Sequence, residues 1–439
     1  MNRQKQTSDF TAGYACIQSF YWMSFSAVMG FTSLYLLDVG FTNTEIGIII
    51  AIAGIISAIL QPMFAGYADR PKSPSLKKII LFLASLLLLL SLALFLLYRR
   101  SVFFNGLFYG GCITLLQLLQ PLINSLGMEV VNQGKKLNFG ISRGIGSIAY
   151  AVAAYFLGLI VAKSGAGAIP ISMIVTLAAV FFFTLRFSFQ KGTHTEPSAN
   201  HEKTGNPFIF FKKYPRFAVT LIGCWLIYVS HILLNSFTFQ IVENIGGGSS
   251  EMGFSMALAA ILELPTMFLF SKMLKKVRCD IWFRISGIFF MLKILGTLLA
   301  PSIPVFYAVQ IFQMFGWALI TVSSVYYVNA IMKKEDAIKG QAYITMTYTF
   351  GSVLGSLIGG ALIDDFGVKT MLAFGTASAF VGMIIVFFSA FHTFSDKNGI
   401  YLICIKNPVN REGYKILILG NIAFCSRSQI NAFQFRSVF

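Results

Sequence analysis

The sequence predicts an all-α integral membrane protein, with about 12 transmembrane helices in two pseudo-symmetric six-helix bundles. Three observations lead there. Hydrophobic residues make up 56% of the 439 residues and charged ones only 12%, half of the roughly 25% of a soluble globular chain. The 45 phenylalanines outnumber the 17 acids, so the surface must face lipid, which admits only helices or a closed barrel. The apolar runs are about 20 residues long and lack period-two alternation, which favours helices over a barrel.

Each predicted helix is an apolar run bounded by polar or basic residues. Helix 1 covers 12–37 and helix 2 covers 44–67, ending at Asp69, Arg70 and Lys72. Helix 3, 77–98, lies between Lys77-Lys78 and Arg99-Arg100, and helix 4, 102–126, runs on toward Lys135-Lys136. Helix 5, 141–162, starts beside Arg143 and stops at Lys163, and helix 6, 168–189, precedes Lys191. A polar stretch at 190–213, with Gly192, Pro197, Asn200, Gly205 and Pro207, is the one long hydrophilic break and reads as a linker. Helix 7, 216–242, follows it, then helix 8 at 250–271, ended by Lys272, Lys275, Lys276 and Arg278. Helices 9, 10, 11 and 12 fall at 281–299, 303–331, 341–363 and 369–394. The expected organisation is an N-terminal bundle (1–189), a cytoplasmic linker (190–213), a C-terminal bundle (214–394) and a cytoplasmic tail (395–439), in which Leu402–Ile405 and Ile416–Ile422 are too short for a thirteenth helix.

The net charge of +17 is not a nucleic-acid footprint, because the basic residues form neither one face nor one domain. They recur at helix ends. With a cytoplasmic amino terminus, the inner loops collect nearly all of them, and the outer side receives only Arg99, Arg100, Lys163 and Lys369. The positive-inside rule then sets both termini in the cytoplasm of a multi-pass protein of the cell (plasma or inner) membrane. The first apolar run is too long for a cleaved signal peptide. Cys16, Cys112, Cys224, Cys279, Cys404 and Cys425 show no metal spacing and read as reduced packing residues. No metal ligand set and no cofactor motif is found. His194, His201, His231 and His392 are scattered, so no catalytic cluster forms and no enzyme is expected.

The halves echo each other. Gly146-Ser147 recurs as Gly351-Ser352, and Pro62-Met63-Phe64 resembles Pro265-Thr266-Met267-Phe268. Tandem halves of this kind are a transporter plan, with the substrate site between them at mid-membrane.

Gln61 to Arg70, QPMFAGYADR, joins helix 2 to a basic loop and resembles the helix 2–3 signature of the major facilitator superfamily. Ala65 stands where the glycine is usual. The resemblance implies that Asp69 and Arg70 act as a conformational latch. Within the superfamily, residues 10–394 resemble the oligosaccharide–proton symporter (lactose permease-like) family, most clearly at Asn138 to Tyr150, NFGISRGIGSIAY. That resemblance implies that Arg143 grips the substrate and that the Tyr150 ring stacks on it. Seven residues separate the two, which places them on one helix face, and a guanidinium suits vicinal hydroxyls or carboxylates. The chain departs from the family at helix 4, where Asn124, three residues after Pro121, replaces an acid; Arg143 is left to Glu129 or an anionic substrate. Helix 10 presents Gln310, Gln313 and Gly316, and helices 7 and 11 present Ile232, Asn235 and Tyr348, where the family carries charges.

Ionisable groups inside a bilayer are costly and functional by default. Glu263 in helix 8, Lys293 in helix 9 and His231 in helix 7 are such groups. Glu263 and Lys293 are expected to pair, as a proton-sensitive switch or as a static packing pair; His231 is either a satisfied polar residue or a proton carrier. Glu263, Lys293, Glu129 and His231 are the proton-coupling candidates, and Asn124, Arg143, Tyr150, Glu263 and Gln313 the substrate-binding ones. Gly351, Gly355 and Gly359 are expected to serve helix packing, while Phe20, Tyr21 and Trp22 line either the cavity or the interface. The expected function is secondary active transport of a small polar solute (sugar, nucleoside or organic acid) by alternating access, as proton-coupled import. The alternatives are an efflux carrier for drugs or metabolites and a non-transporting membrane sensor. The glycine–proline signature of many exporters is missing from helix 5, since Pro170 falls in the loop beyond Lys163. The partners implied are a small molecule, a coupling proton and the bilayer; a monomer accommodates all of them. A cysteine placed within 190–213 is expected to resist an impermeant maleimide in intact cells and to react after lysis; labelling in intact cells would invert the topology.

Overall fold

The computed structural model describes residues 9–68, 73–187 and 207–390, and beyond them only the strands Phe394–Ser395, Tyr401–Lys406, Tyr414–Ile418 and Asn421–Cys425. Eleven helices are long and apolar enough to cross a bilayer, and a pair bent by 46°, Thr11–Gly30 with Thr32–Val39, completes twelve. We number them as spans. Span 1 is that pair. Spans 2 to 6 are Asn43–Ala68, Leu76–Leu97, Val102–Asn132, Phe139–Ser164 and Ala168–Arg186. Span 7 is Pro215–Ser236 continued by Thr238–Asn244; spans 8 and 9 are Ser249–Met273 and Cys279–Leu299. Span 10 comprises Ile303–Val309, a tight 3-10 turn at Gln310–Gln313 and Trp317–Ile331; spans 11 and 12 are Lys334–Phe366 and Val368–Ser389. Large apolar side chains stay exposed along the outer faces, such as Phe82 (65%), Phe103 (71%) and Phe388 (70%). Only a lipid solvent tolerates so continuous an apolar belt.

Five features differ from the sequence reading. Span 1 contains a π-helical segment, Ser26–Gly30, before its bend. Span 12 stops at Ser389 rather than 394. Pro207–Lys213, inside the expected linker, is a short helix tied to span 11: Lys213 Nζ meets Asp336 Oδ2 at 2.5 Å, and the Tyr214 hydroxyl donates to the same oxygen at 2.9 Å. The tail strands pair antiparallel in chain order. Span 10 is broken because Gly316 ends the tight turn, its N–H donating to the Phe312 carbonyl at 2.8 Å. Irregular backbone at this depth survives only when enclosed by protein, and both Gln310 and Gln313 are buried.

The internal repeat is visible in the packing. Span 5 lies on span 1 as span 11 lies on span 7, and the halves meet through spans 5 and 8 and through spans 2 and 11, two contacts exchanged by the same symmetry. Gly351, Gly355 and Gly359 face Tyr228, Val229 and Phe237 of span 7, as expected of a packing stripe. At the end of the bundle remote from Thr11 the halves are clamped. Asp364 Oδ2 accepts from Thr44 N at 2.7 Å and Thr44 Oγ1 at 2.6 Å, while its Oδ1 accepts from Asn43 N at 3.2 Å and Asn43 Nδ2 at 2.8 Å. A carboxylate here also complements the positive N-terminal end of span 2. Gln240 of span 7 adds a bond to Asn43 Oδ1 at 2.7 Å.

Gly158 and Gly253 bring spans 5 and 8 together: a methyl on Gly158 would stand 2.6 Å from the Ser249 carbonyl oxygen and 3.0 Å from Gly253 Cα. Backbone atoms cannot retreat as a flexible side chain can. Gly158→Leu should therefore cost about 1–3 kcal/mol by overpacking. The check is a lower melting temperature for the purified variant in detergent, with Gly66→Leu, where an added Cβ meets nothing within 4 Å, melting with the parent.

Candidate functional site

Two polar clusters approach each other between the halves. The first is built on spans 1, 4 and 5. Trp22 Nε1 donates to Gln18 Oε1 at 3.1 Å; Gln18 Nε2 donates to the Tyr14 hydroxyl at 2.7 Å and to Asn124 Oδ1 at 3.2 Å; the Tyr14 hydroxyl donates to the Ile123 carbonyl at 3.1 Å. An indole N–H can only donate. It therefore fixes the Gln18 carbonyl toward itself and the Gln18 amide N–H toward Asn124. Asn124 must answer with its oxygen, which turns its NH₂ away from Gln18. Gly146 lets span 5 in close, since a methyl there would stand 2.7 Å from Trp22 Cδ1. One turn earlier on that span, the Arg143 guanidinium lies 3.7 Å above the Trp22 ring and donates to Ser147 Oγ at 2.9 Å. Stacking on an indole face offsets part of the cost of holding a cation here.

The second cluster is built on spans 8, 9 and 10. Lys293 is 5% exposed, and its Nζ donates to Gln313 Oε1 at 2.5 Å. Gln313 Nε2 donates to Glu263 Oε1 at 2.7 Å. The expected direct Glu263–Lys293 pair is thus replaced by a bridge. Gln313, in the 3-10 turn of span 10, reaches between the two spans, and its neutral amide can accept from an ammonium while donating to a carboxylate. On its other side Lys293 borders a cavity of about 30 Å³, lined also by Ser255, Asn235, Thr238, Thr297 and Gln310. That is room for roughly one water with several polar partners.

Arg143 of the first cluster feels the charge of Glu263 in the second, but forms no ion pair among the described residues. Tyr150 lies within the electrostatic reach of Glu263, and its hydroxyl stands 3.7 Å from where a methyl on Gly30 would be. His231 packs flat on Trp317 at 4.1 Å and edge-on to Phe290, with Nε2 at 2.9 Å from Asn235 Nδ2. It senses the charge of Lys293 without touching it. Glu129 sits in the last turn of span 4 and does not pair with Arg143. Asp69 and Arg70 lie outside the described residues. Gln18 and Tyr14 were not among the sequence candidates. Their signal was present: an amide and a hydroxyl in an apolar run need partners inside the protein. Trp22, which the sequence leaves between cavity and interface, belongs to the cluster.

Gln313→Leu keeps the volume and removes both bridge bonds, leaving the buried Lys293 and the half-buried Glu263 uncompensated, a loss of up to about 3–5 kcal/mol when one partner of a buried charge is deleted. The expected outcome is a lower melting temperature, partly rescued by Gln313→Leu combined with Lys293→Met and Glu263→Gln, which removes the stranded charges. A single variant that melts with the parent would show that the bridge contributes nothing.

The model of the MFS_1 like family matches residues 14–375. A candidate sugar efflux transporter of Deinococcus radiodurans is 28% identical over 155 residues, 35% of this chain and 38% of that protein. The crystal structure of the nucleoside transporter NupG superposes with a TM-score of 0.68 at 16% identity, covering 86% of this chain and 97% of that one. A bacterial homologue of the lysosomal transporter Spinster, inward-facing and unoccupied, superposes with a TM-score of 0.63 at 13% identity, covering 89% and 98%. At such identities the structural likeness shows the fold, while the family match spans more than half of the sequence. The chain belongs to the MFS_1 like family, membrane transporters of the major facilitator type.

Proposed function

We propose that the protein is a secondary active transporter for a small polar solute (a sugar, a nucleoside or an organic acid), working by proton-coupled import in the cell membrane. The observation that carries the reading is the pair of polar clusters between the halves. Asn124, Arg143 and Tyr150 stand on one half and Glu263, Lys293 and Gln313 on the other. A solute bridging both would be released when the halves rock apart. The far-end clamp at Asp364 and the glycine contacts of spans 5 and 8 supply the interfaces that must open for the opposite state.

Proton coupling rests on Glu263. Its carboxylate holds a single bond from Gln313, and Gln313 is shared with Lys293. A substrate that takes the Gln313 amide changes what Glu263 sees, and so changes its hold on a proton. Likeness to the oligosaccharide–proton symporters supports this reading at Arg143 and Tyr150 only. A second reading, efflux, is favoured by the name of the Deinococcus radiodurans relative. The two share one site and differ in which gradient drives the cycle.

Counterflow of radiolabelled glucose, uridine and lactate in proteoliposomes tests the carrier reading; uptake of at least one above empty liposomes is expected. Collapsing the proton gradient should then reduce net accumulation about tenfold or more, and Glu263→Gln should lose that dependence while retaining exchange. Accumulation indifferent to the gradient would remove the proton from the scheme.

A further inference from the structure

We propose that the solute carries a negative charge, a carboxylate or a phosphate, and that this group docks on Arg143 and the Asn124 amide. The inference deepens the carrier reading above and rests on it.

The first support is the orientation of Asn124, derived from a donor-only group. Trp22 Nε1–H sets Gln18, and Gln18 sets Asn124, whose oxygen accepts from the Gln18 amide. The Asn124 NH₂ is neither enclosed without a partner nor bonded among the described residues. What this orientation leaves toward a ligand is the two N–H donors of its NH₂.

The second is the state of Arg143. Its five N–H groups are donors only. Among the described residues one nitrogen bonds Ser147, the face is covered by Trp22, and no carboxylate pairs with it. An arginine whose face is held by an indole presents its edge in a fixed plane, the arrangement that suits bidentate capture of carboxylate or phosphate oxygens.

The third is the balance of charge. With His231 neutral, Arg143 and Lys293 supply two positive charges and Glu263 one negative charge, so the two clusters together carry +1. Lys293 and Glu263 are bridged through Gln313 and offset each other. The excess therefore sits at Arg143, on the Asn124 side. A neutral sugar would leave that excess uncompensated in a low-dielectric cavity, whereas a monoanion would cancel it.

The test uses the purified full chain and matched ligand pairs: glucose with glucuronate, ribose with ribose 5-phosphate, and uridine with uridine 5′-monophosphate. Binding is read by calorimetry and exchange by counterflow in proteoliposomes. In at least one pair the anionic member should bind about tenfold or more tighter than its neutral partner. Arg143→Ala should abolish that gap. Asn124→Asp adds a negative charge to the cluster that holds Arg143; it should close the gap or reverse it, while the Gln18 bond to the retained oxygen preserves the fold. A parent protein that prefers the neutral member of every pair that binds, or a gap that survives both substitutions, would overturn the inference and leave the carrier reading standing. Failure of all six compounds to bind or exchange would overturn both.

Discussion

A charged or hydrogen-bonding group inside a bilayer has no water to fall back on, and that constraint shapes every functional feature of this protein. The cost of an orphaned charge there is several kcal/mol. Lys293 and Glu263 are therefore tied through the Gln313 amide, and Arg143 lies on the Trp22 face with one hydrogen bond to Ser147. The same rule fixes where the chain may stop being helical. Span 10 tightens into a 3-10 turn at Gln310–Gln313, enclosed by neighbouring spans, and Gln313 of that turn reaches both Lys293 and Glu263.

Groups with a single hydrogen-bonding sense propagate order through amides that have two. The Trp22 indole fixes Gln18 and through it Asn124; the Lys293 ammonium fixes Gln313 and through it the bond to Glu263. Each chain of bonds thus runs from a donor-only group through one glutamine to a terminal group, Asn124 on one half and Glu263 on the other. The N-terminal chain ends on an amide presenting N–H, the C-terminal chain on a carboxylate presenting oxygen. In the proposed carrier, a donor side and an acceptor side would orient a ligand before any shape selection.

The halves are joined by means that can be undone. Where glycines place backbone against backbone, as at Gly158 and Gly253, contact comes from close packing rather than from a hydrophobic driving force, which lipid does not supply. The clamp at Asp364 consists of exposed hydrogen bonds to Asn43 and Thr44. Such contacts are strong only while the geometry holds, which suits the proposed alternating-access cycle.

The sequence by itself determined the fold class, the twelve spans and the six-and-six repeat, because hydropathy over about 20 residues is a local property that lipid reads directly. It also marked Arg143, Glu263, Lys293 and Gln313, since polar groups in apolar runs need a reason to be there. The bridge, the stacked arginine and the turned-out Asn124 amide were decided only by tertiary structure. Gln18 and Asn124 are 106 residues apart, and Gln313 and Glu263 are 50 apart. Which amide end faces which neighbour depends on the three-dimensional order of donors and acceptors, and a one-dimensional pattern holds no record of that order. The breaks within spans 1 and 10 belong to the same class, because packing by neighbouring spans, not local propensity, makes an unwound turn tolerable in the membrane.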